Sequence, residues 1–114
     1  MSRTSDADRE RFAALSRSLG EVGLFRRGSV VRRLVPCGKS NCACQADPPR
    51  LHGPYFQWTR KVRGKTVTVR LTQQEAKLFE GWIANGRQLD KALATMERLS
   101  LRMTELLLST ARKD

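Results

Sequence analysis

The sequence predicts a small α+β protein: a short N-terminal helix, a small antiparallel sheet with a cysteine–histidine loop, and a long C-terminal helix. Three observations carry that expectation. Residues 54–71 alternate apolar and polar side chains on either side of Arg63-Gly64, the pattern of a β-hairpin. Residues 72–111 hold an unbroken heptad seam. The three cysteines and the only histidine fall within sixteen residues, Cys37 to His52, just before the hairpin. With 114 residues and a hydrophobic content of 39 %, the chain has material for one modest core, with or without an appended helix. Three segments follow: an N-terminal helix over 1–20, a basic loop-and-hairpin module over 21–71, and an oligomerising helix over 72–114.

Residues 5–20 read as an amphipathic helix. Ser5 is placed to cap it, and Asp6, Asp8 and Glu10 sit where the helix dipole favours negative charge. Phe12, Leu15 and Leu19 recur at helical spacing, and Gly20 supplies a stop. Residues 28–36 read as a β-strand ended by Pro36, with Arg32 and Arg33 on opposite faces. Arg26-Arg27-Gly28-Ser29 has the form of a basophilic kinase site, a motif short enough to arise by chance.

A two-residue turn at Arg63-Gly64 sets Val62 opposite Lys65, Arg60 opposite Val67, Trp58 opposite Val69 and Phe56 opposite Leu71. One face then gathers Phe56, Trp58, Val67, Val69 and Leu71 as core. The other gathers Tyr55, Gln57, Thr59, Lys61, Thr66, Thr68 and Arg70, a polar and basic surface suited to a phosphate backbone. Beyond it, Thr72 and Glu75 form a capping box for the last helix. Its seam runs Leu78, Trp82, Asn85, Leu89, Ala92, Met96, Leu99, Met103, Leu106 and Thr110, widened by Leu93 and Leu107 into a stripe that fits a bundle or a coiled-coil dimer. Leu89, Ala92, Met96, Leu99, Met103 and Leu106 are the residues expected to join copies of the chain. The 5–20 helix folding back over the seam is the competing arrangement. Asn85-Gly86 is the weak point, where one kinked helix or a helix–turn–helix break is expected.

The net charge is +11, from 22 basic and 11 acidic residues. Residues 21–71 hold eleven of the cations against Glu21 and Asp47 alone, so nine of the excess charges lie in under half of the chain. That concentration points to a polyanion, and to DNA first. The expected contacts are Arg32, Arg33, Lys39, Arg50, Lys61, Arg63, Lys65 and Arg70, with Tyr55 stacking or hydrogen-bonding at the backbone. No apolar run approaches the ~20 residues of a membrane span, and Met1 to Asp6 lack the apolar core of a secretory signal, so the expectation is a cytoplasmic protein. There, clustered thiols point to metal. Cys37, Cys42, Cys44 and His52 supply the three thiolates and one imidazole of a closed, structural zinc shell. Lys39 would help keep those thiols ionised.

Cys37-Gly38-Lys39-x-x-Cys42-x-Cys44, then His52-Gly53-Pro54-Tyr55 and a basic hairpin with Gly-Lys in its turn, resembles a family of short, uncharacterised bacterial and archaeal proteins often found near transposases and other mobile elements. The resemblance spans roughly residues 27–110, and this chain departs from it by a longer insert, Gln45 to Leu51. It implies an association with DNA mobility, without a mechanism. The carboxylates are scattered, with no pair set for two-metal chemistry and no Gly-rich phosphate loop, so no enzyme is expected. The leading expectation is a zinc-stabilised, dimeric DNA-binding accessory protein of a transposase or recombinase. The alternatives are an adaptor that docks its long helix on a larger recombinase and, third, an RNA-binding module.

Overall fold

Arg63 and Gly64 both adopt positive φ, 51° and 80°, the left-handed pair of a type I′ turn whose twist matches that of paired strands. In the computed structural model, which describes residues 3–35 and 52–113, this turn joins strands β2 (His52–Val62) and β3 (Lys65–Leu71). The register from Val62↔Lys65 to Phe56↔Leu71 is the one the alternation predicts. Strand β1 (Ser29–Val35) pairs antiparallel with the other side of β2, giving a three-stranded sheet of order β1-β2-β3. Helix α1 spans Arg3–Ser18 and continues as a 3-10 turn over Leu19–Glu21; helix α2 spans Gln73–Lys113. The α+β class and the element order are therefore as expected, and the zinc loop falls outside the described residues.

The chain divides into two units. One comprises Phe25–Ala84, the sheet with the first turns of α2; the other comprises Met1–Leu24 with Asn85–Asp114. The division runs through α2 rather than at its start.

In the sheet unit, Val30 of β1 pairs with Trp58, so the two share a face with Phe56 and Leu71. Ala76, Phe79 and Ile83, at helical spacing on α2, close over that face to make the core. Trp58 is 5 % exposed; its ring meets Phe79 at 5.0 Å in a tilted stack, and its Nε1 donates to the Arg27 carbonyl at 2.8 Å. Val69, expected in this core, is 41 % exposed. The cluster takes no residue of β3 before Leu71, so the middle of that edge strand keeps its apolar side chain in water. Gly28 joins the preceding segment to β1 at φ 112°, where an added Cβ would run into the Thr59 carbonyl oxygen.

Thr72 and Glu75 form the predicted capping box. The Thr72 N–H donates to Glu75 Oε1 at 2.9 Å and the Glu75 N–H donates to Thr72 Oγ1 at 3.1 Å. The Thr72 backbone N–H, then its side chain, hold the Glu75 carboxyl below its ordinary pKa.

In the helical unit one expectation changes and two are made specific. Ser5 does not precede α1 but lies in its first turn, because the helix begins at Arg3. Gly20 sits inside the 3-10 turn over Leu19–Glu21, with which the helical run ends. Of the two arrangements expected at Asn85-Gly86, the structure has the unbroken helix: α2 is continuous for 41 residues. Asn85 Nδ2 donates to the Leu24 carbonyl at 2.7 Å, so the residue serves a tertiary hydrogen bond rather than a helix end. Asp8 meets Arg102 at 3.0 Å, while Leu24 meets Asn85, so α1 and this half of α2 run antiparallel. The fold-back of α1 is thus observed. Leu99 is 1 % exposed, and Leu89, Ala92, Met96 and Met103 are half-buried. Leu106, with Leu107 beside it, is exposed.

Candidate nucleic-acid interface

Alternation in the strands sends Val30, Phe56, Trp58 and Leu71 into the core and their neighbours to the opposite face. That second face carries Ser29, Val31 and Arg33 from β1, Tyr55, Gln57, Thr59 and Lys61 from β2, and Thr66, Thr68 and Arg70 from β3. Arg33 stands directly across from Tyr55. Arg70, across from Gln57, lies one step along the strand from Tyr55 and places its guanidinium 4.1 Å from the phenol ring centroid. The three side chains form a row across all three strands, with both arginines exposed and the tyrosine half-buried.

The strands carry Arg32, Arg33, Arg60, Lys61, Lys65 and Arg70 and not one carboxylate. A guanidinium stacked on an aromatic ring keeps its coplanar N–H donors free at its edge, the geometry that grips a phosphate with two hydrogen bonds. A cleft of about 560 Å³ opens beside the Tyr55–Arg70 stack, toward Thr72, Gln73 and Glu75 at the start of α2.

Of the nine residues expected to contact nucleic acid, the structure brings Arg33, Tyr55, Lys61 and Arg70 onto one face. Arg32 and Lys65 fall on the other, opposite Phe56 and Val62, and Arg63 stands at the tip of the hairpin. Lys39 and Arg50 lie outside the described residues, as do Cys37, Cys42, Cys44 and the side chain of His52. Val35 pairs with His52, so the segment 36–51 that carries the three cysteines leaves and rejoins the sheet at paired positions of adjacent strands.

Two arginines absent from the expected set lie in the sheet unit's aromatic cluster. Arg60 Cζ is 4.1 Å from the Trp58 ring centroid. Arg26 Cζ is 5.0 Å from those of Trp58 and Phe79 and 5.7 Å from that of Trp82. Arg60 was findable, two residues from Trp58 on one strand and so on its face. Arg26 was not, because a backbone hydrogen bond from its N–H to the Trp82 carbonyl, at 3.2 Å, brings it there from outside any regular element.

The class is α+β: a three-stranded antiparallel sheet with one apolar face packed on α2 and one face of polar and basic side chains. The chain belongs to a family described as a domain of unknown function, DUF6788, whose model matches residues 5–80. The match takes in α1, the sheet and the first two turns of α2; it starts further toward the N-terminus than the resemblance over 27–110 implied, and ends well before that resemblance does. No curated protein and no solved structure matches the chain. Among the described residues no helix is long and apolar enough to cross a membrane.

Proposed function

We propose that the protein is a non-enzymatic DNA-binding module that lays the Arg33–Tyr55–Arg70 face of its sheet along a phosphate backbone. The observation that carries this reading is a face that holds Arg33, Lys61 and Arg70 and not one carboxylate. A face kept only for solubility would mix both signs of charge. Arg33, Lys61 and Arg70 would neutralise phosphates, Tyr55 would hold Arg70 in place by stacking, and the threonine and glutamine side chains between them would hydrogen-bond to phosphate oxygens. The test is fluorescence anisotropy of a labelled random-sequence DNA duplex across a salt series. We expect log affinity to fall against log salt with a slope of about −4 or steeper, as for several phosphates contacted at once. No binding at ~50 mM salt, where counterion release helps most, would overturn the reading.

Zinc is the second part of the proposal. Cys37, Cys42, Cys44 and His52 form a donor set of the right composition for a closed tetrahedral shell, and the paired ends of segment 36–51 give zinc a strand-to-strand span to tie together. Metal analysis should find one zinc ion per chain, lost in Cys42→Ser together with part of the thermal stability. An identical melting temperature with and without chelator would remove zinc from the account.

The third part is association through α2. Leu93, Leu101, Leu106, Leu107 and Leu108 are all exposed there, which favours a partner for the helix. Pairing with a second copy would present two basic faces to two DNA segments. Docking on a transposase or recombinase is the adaptor alternative, and that association with mobile elements rests on the resemblance of the Cys/His-Gly-Pro-Tyr core. An RNA ligand is disfavoured, because Trp58 is buried and Phe56 packs against the core, which leaves Tyr55 as the sheet's one aromatic on the basic face.

A further inference from the structure

Arg26 and Arg60 approach the same ring. With Arg60 Cζ at 4.1 Å and Arg26 Cζ at 5.0 Å from the Trp58 centroid, the two guanidinium carbons are at most about 9 Å apart. Like charges held that close repel, and among the described residues no carboxylate pairs with either. The arrangement is fixed from both sides. Trp58 is pinned by its hydrogen bond to the Arg27 carbonyl, the Arg26 backbone by its bond to Trp82, and Gly28 turns the chain hard against Thr59. Arg26 is nevertheless exposed and Arg60 half-buried, so both side chains stay open to solvent while they lie against the ring.

Two cations against one aromatic, with no carboxylate paired to either among the described residues, are what an anion with several oxygens completes. We infer that Arg26 and Arg60, stacked on Trp58, form a second phosphodiester-gripping site, on the opposite face of the sheet from Arg33, Tyr55 and Arg70. This rests on the proposal that the protein binds DNA, and it widens the contact surface to residues 26–28 and to the Trp58 side of the hairpin. A purely structural role, in which the two stems merely shield the rings from water, would look the same at rest and is separated by experiment.

The experiment compares the full chain with Arg26→Met, Arg60→Met and the double variant, methionine keeping an apolar stem against the ring. Each is titrated with the same labelled duplex across the salt series, and its folding is checked by circular dichroism. Each single change should make the slope of log affinity against log salt shallower by about 0.9, and the double change by about twice that, one phosphate contact per arginine. Arg17→Met, on α1, should leave the slope as it is. Both of the chain's tryptophans lie within 5.7 Å of Arg26, so their emission should change when unlabelled duplex is added to the parent and stay flat in the double variant. A folded double variant with the parent's slope and emission response would overturn the inference and leave DNA binding standing. Loss of melting temperature with an unchanged slope would assign both arginines to the core alone. A parent that binds no duplex removes both readings together. If either methionine variant does not fold, Arg26→Lys and Arg60→Lys take its place. They keep the charge and lose the two-pronged grip, so weaker binding at a near-parent slope is expected, and parent affinity would count against the site.

Discussion

Replacing Trp58 with alanine is expected to cost about 4 kcal/mol of stability, the range for removing a buried tryptophan, and to lower the melting temperature by on the order of 15 °C. The size of the effect follows from how much meets at this ring. It is 5 % exposed, it stacks with Phe79, its N–H satisfies the Arg27 carbonyl, and two guanidiniums lie against it. Trp58→Phe divides these contributions. It keeps an apolar ring for Phe79 and the arginines but leaves the Arg27 carbonyl without its donor, so a loss of about 1–2 kcal/mol is expected. Denaturant unfolding followed by circular dichroism measures both. An alanine variant as stable as the parent would mean that the sheet–helix core contributes little to the fold.

The second large effect belongs to Leu99, 1 % exposed in the helical unit. Leu99→Ala should cost about 3 kcal/mol through lost burial and the cavity left behind. Because this side chain is already enclosed within its own chain, the particle mass in light scattering should not change. Leu107→Asp makes the opposite case. Its position is 58 % exposed, so stability should move by no more than about 0.5 kcal/mol, while a dimer held by the outer leucines should come apart. A Leu99→Ala variant that lost mass while keeping its stability would return Leu99 to the interface between copies. An unchanged mass for Leu107→Asp would remove self-association through this part of α2.

These two residues show where sequence reasoning reached and where it stopped. The heptad seam was legible because a helix repeats its faces regardless of what covers them, and Leu99 lies on it. What the seam meets is a tertiary fact: α1 folds back over part of it, and the outer leucines stay exposed. The hairpin was legible down to its register, because a two-residue turn fixes every pair and the alternation leaves one way to bury Trp58 and Leu71. Its exposed Val69 was not, since alternation names a face and not how far the covering helix extends along it. Asn85 leaves a choice open for a related reason. Beside Gly86 it has the local chemistry of a helix end, but its amide is engaged with a carbonyl 61 residues away in the chain. Half of the candidate site followed the same division. Tyr55, Lys61 and Arg70 come together through strand parity, Arg33 joins them only through the β1–β2 register, and Arg26 reaches the aromatic cluster through a backbone contact that leaves no periodic trace.

The sheet also has two open margins. Among the described residues nothing pairs with the outer sides of β1 and β3, and unpaired strand edges are templates for joining sheet to sheet. Both edge strands carry cations, Arg32 and Arg33 on one, Lys65 and Arg70 on the other, with no acidic residue to offset them. Copies approaching edge to edge therefore meet like charge against like charge. The residues that would hold a polyanion thus also guard the protein against its own aggregation.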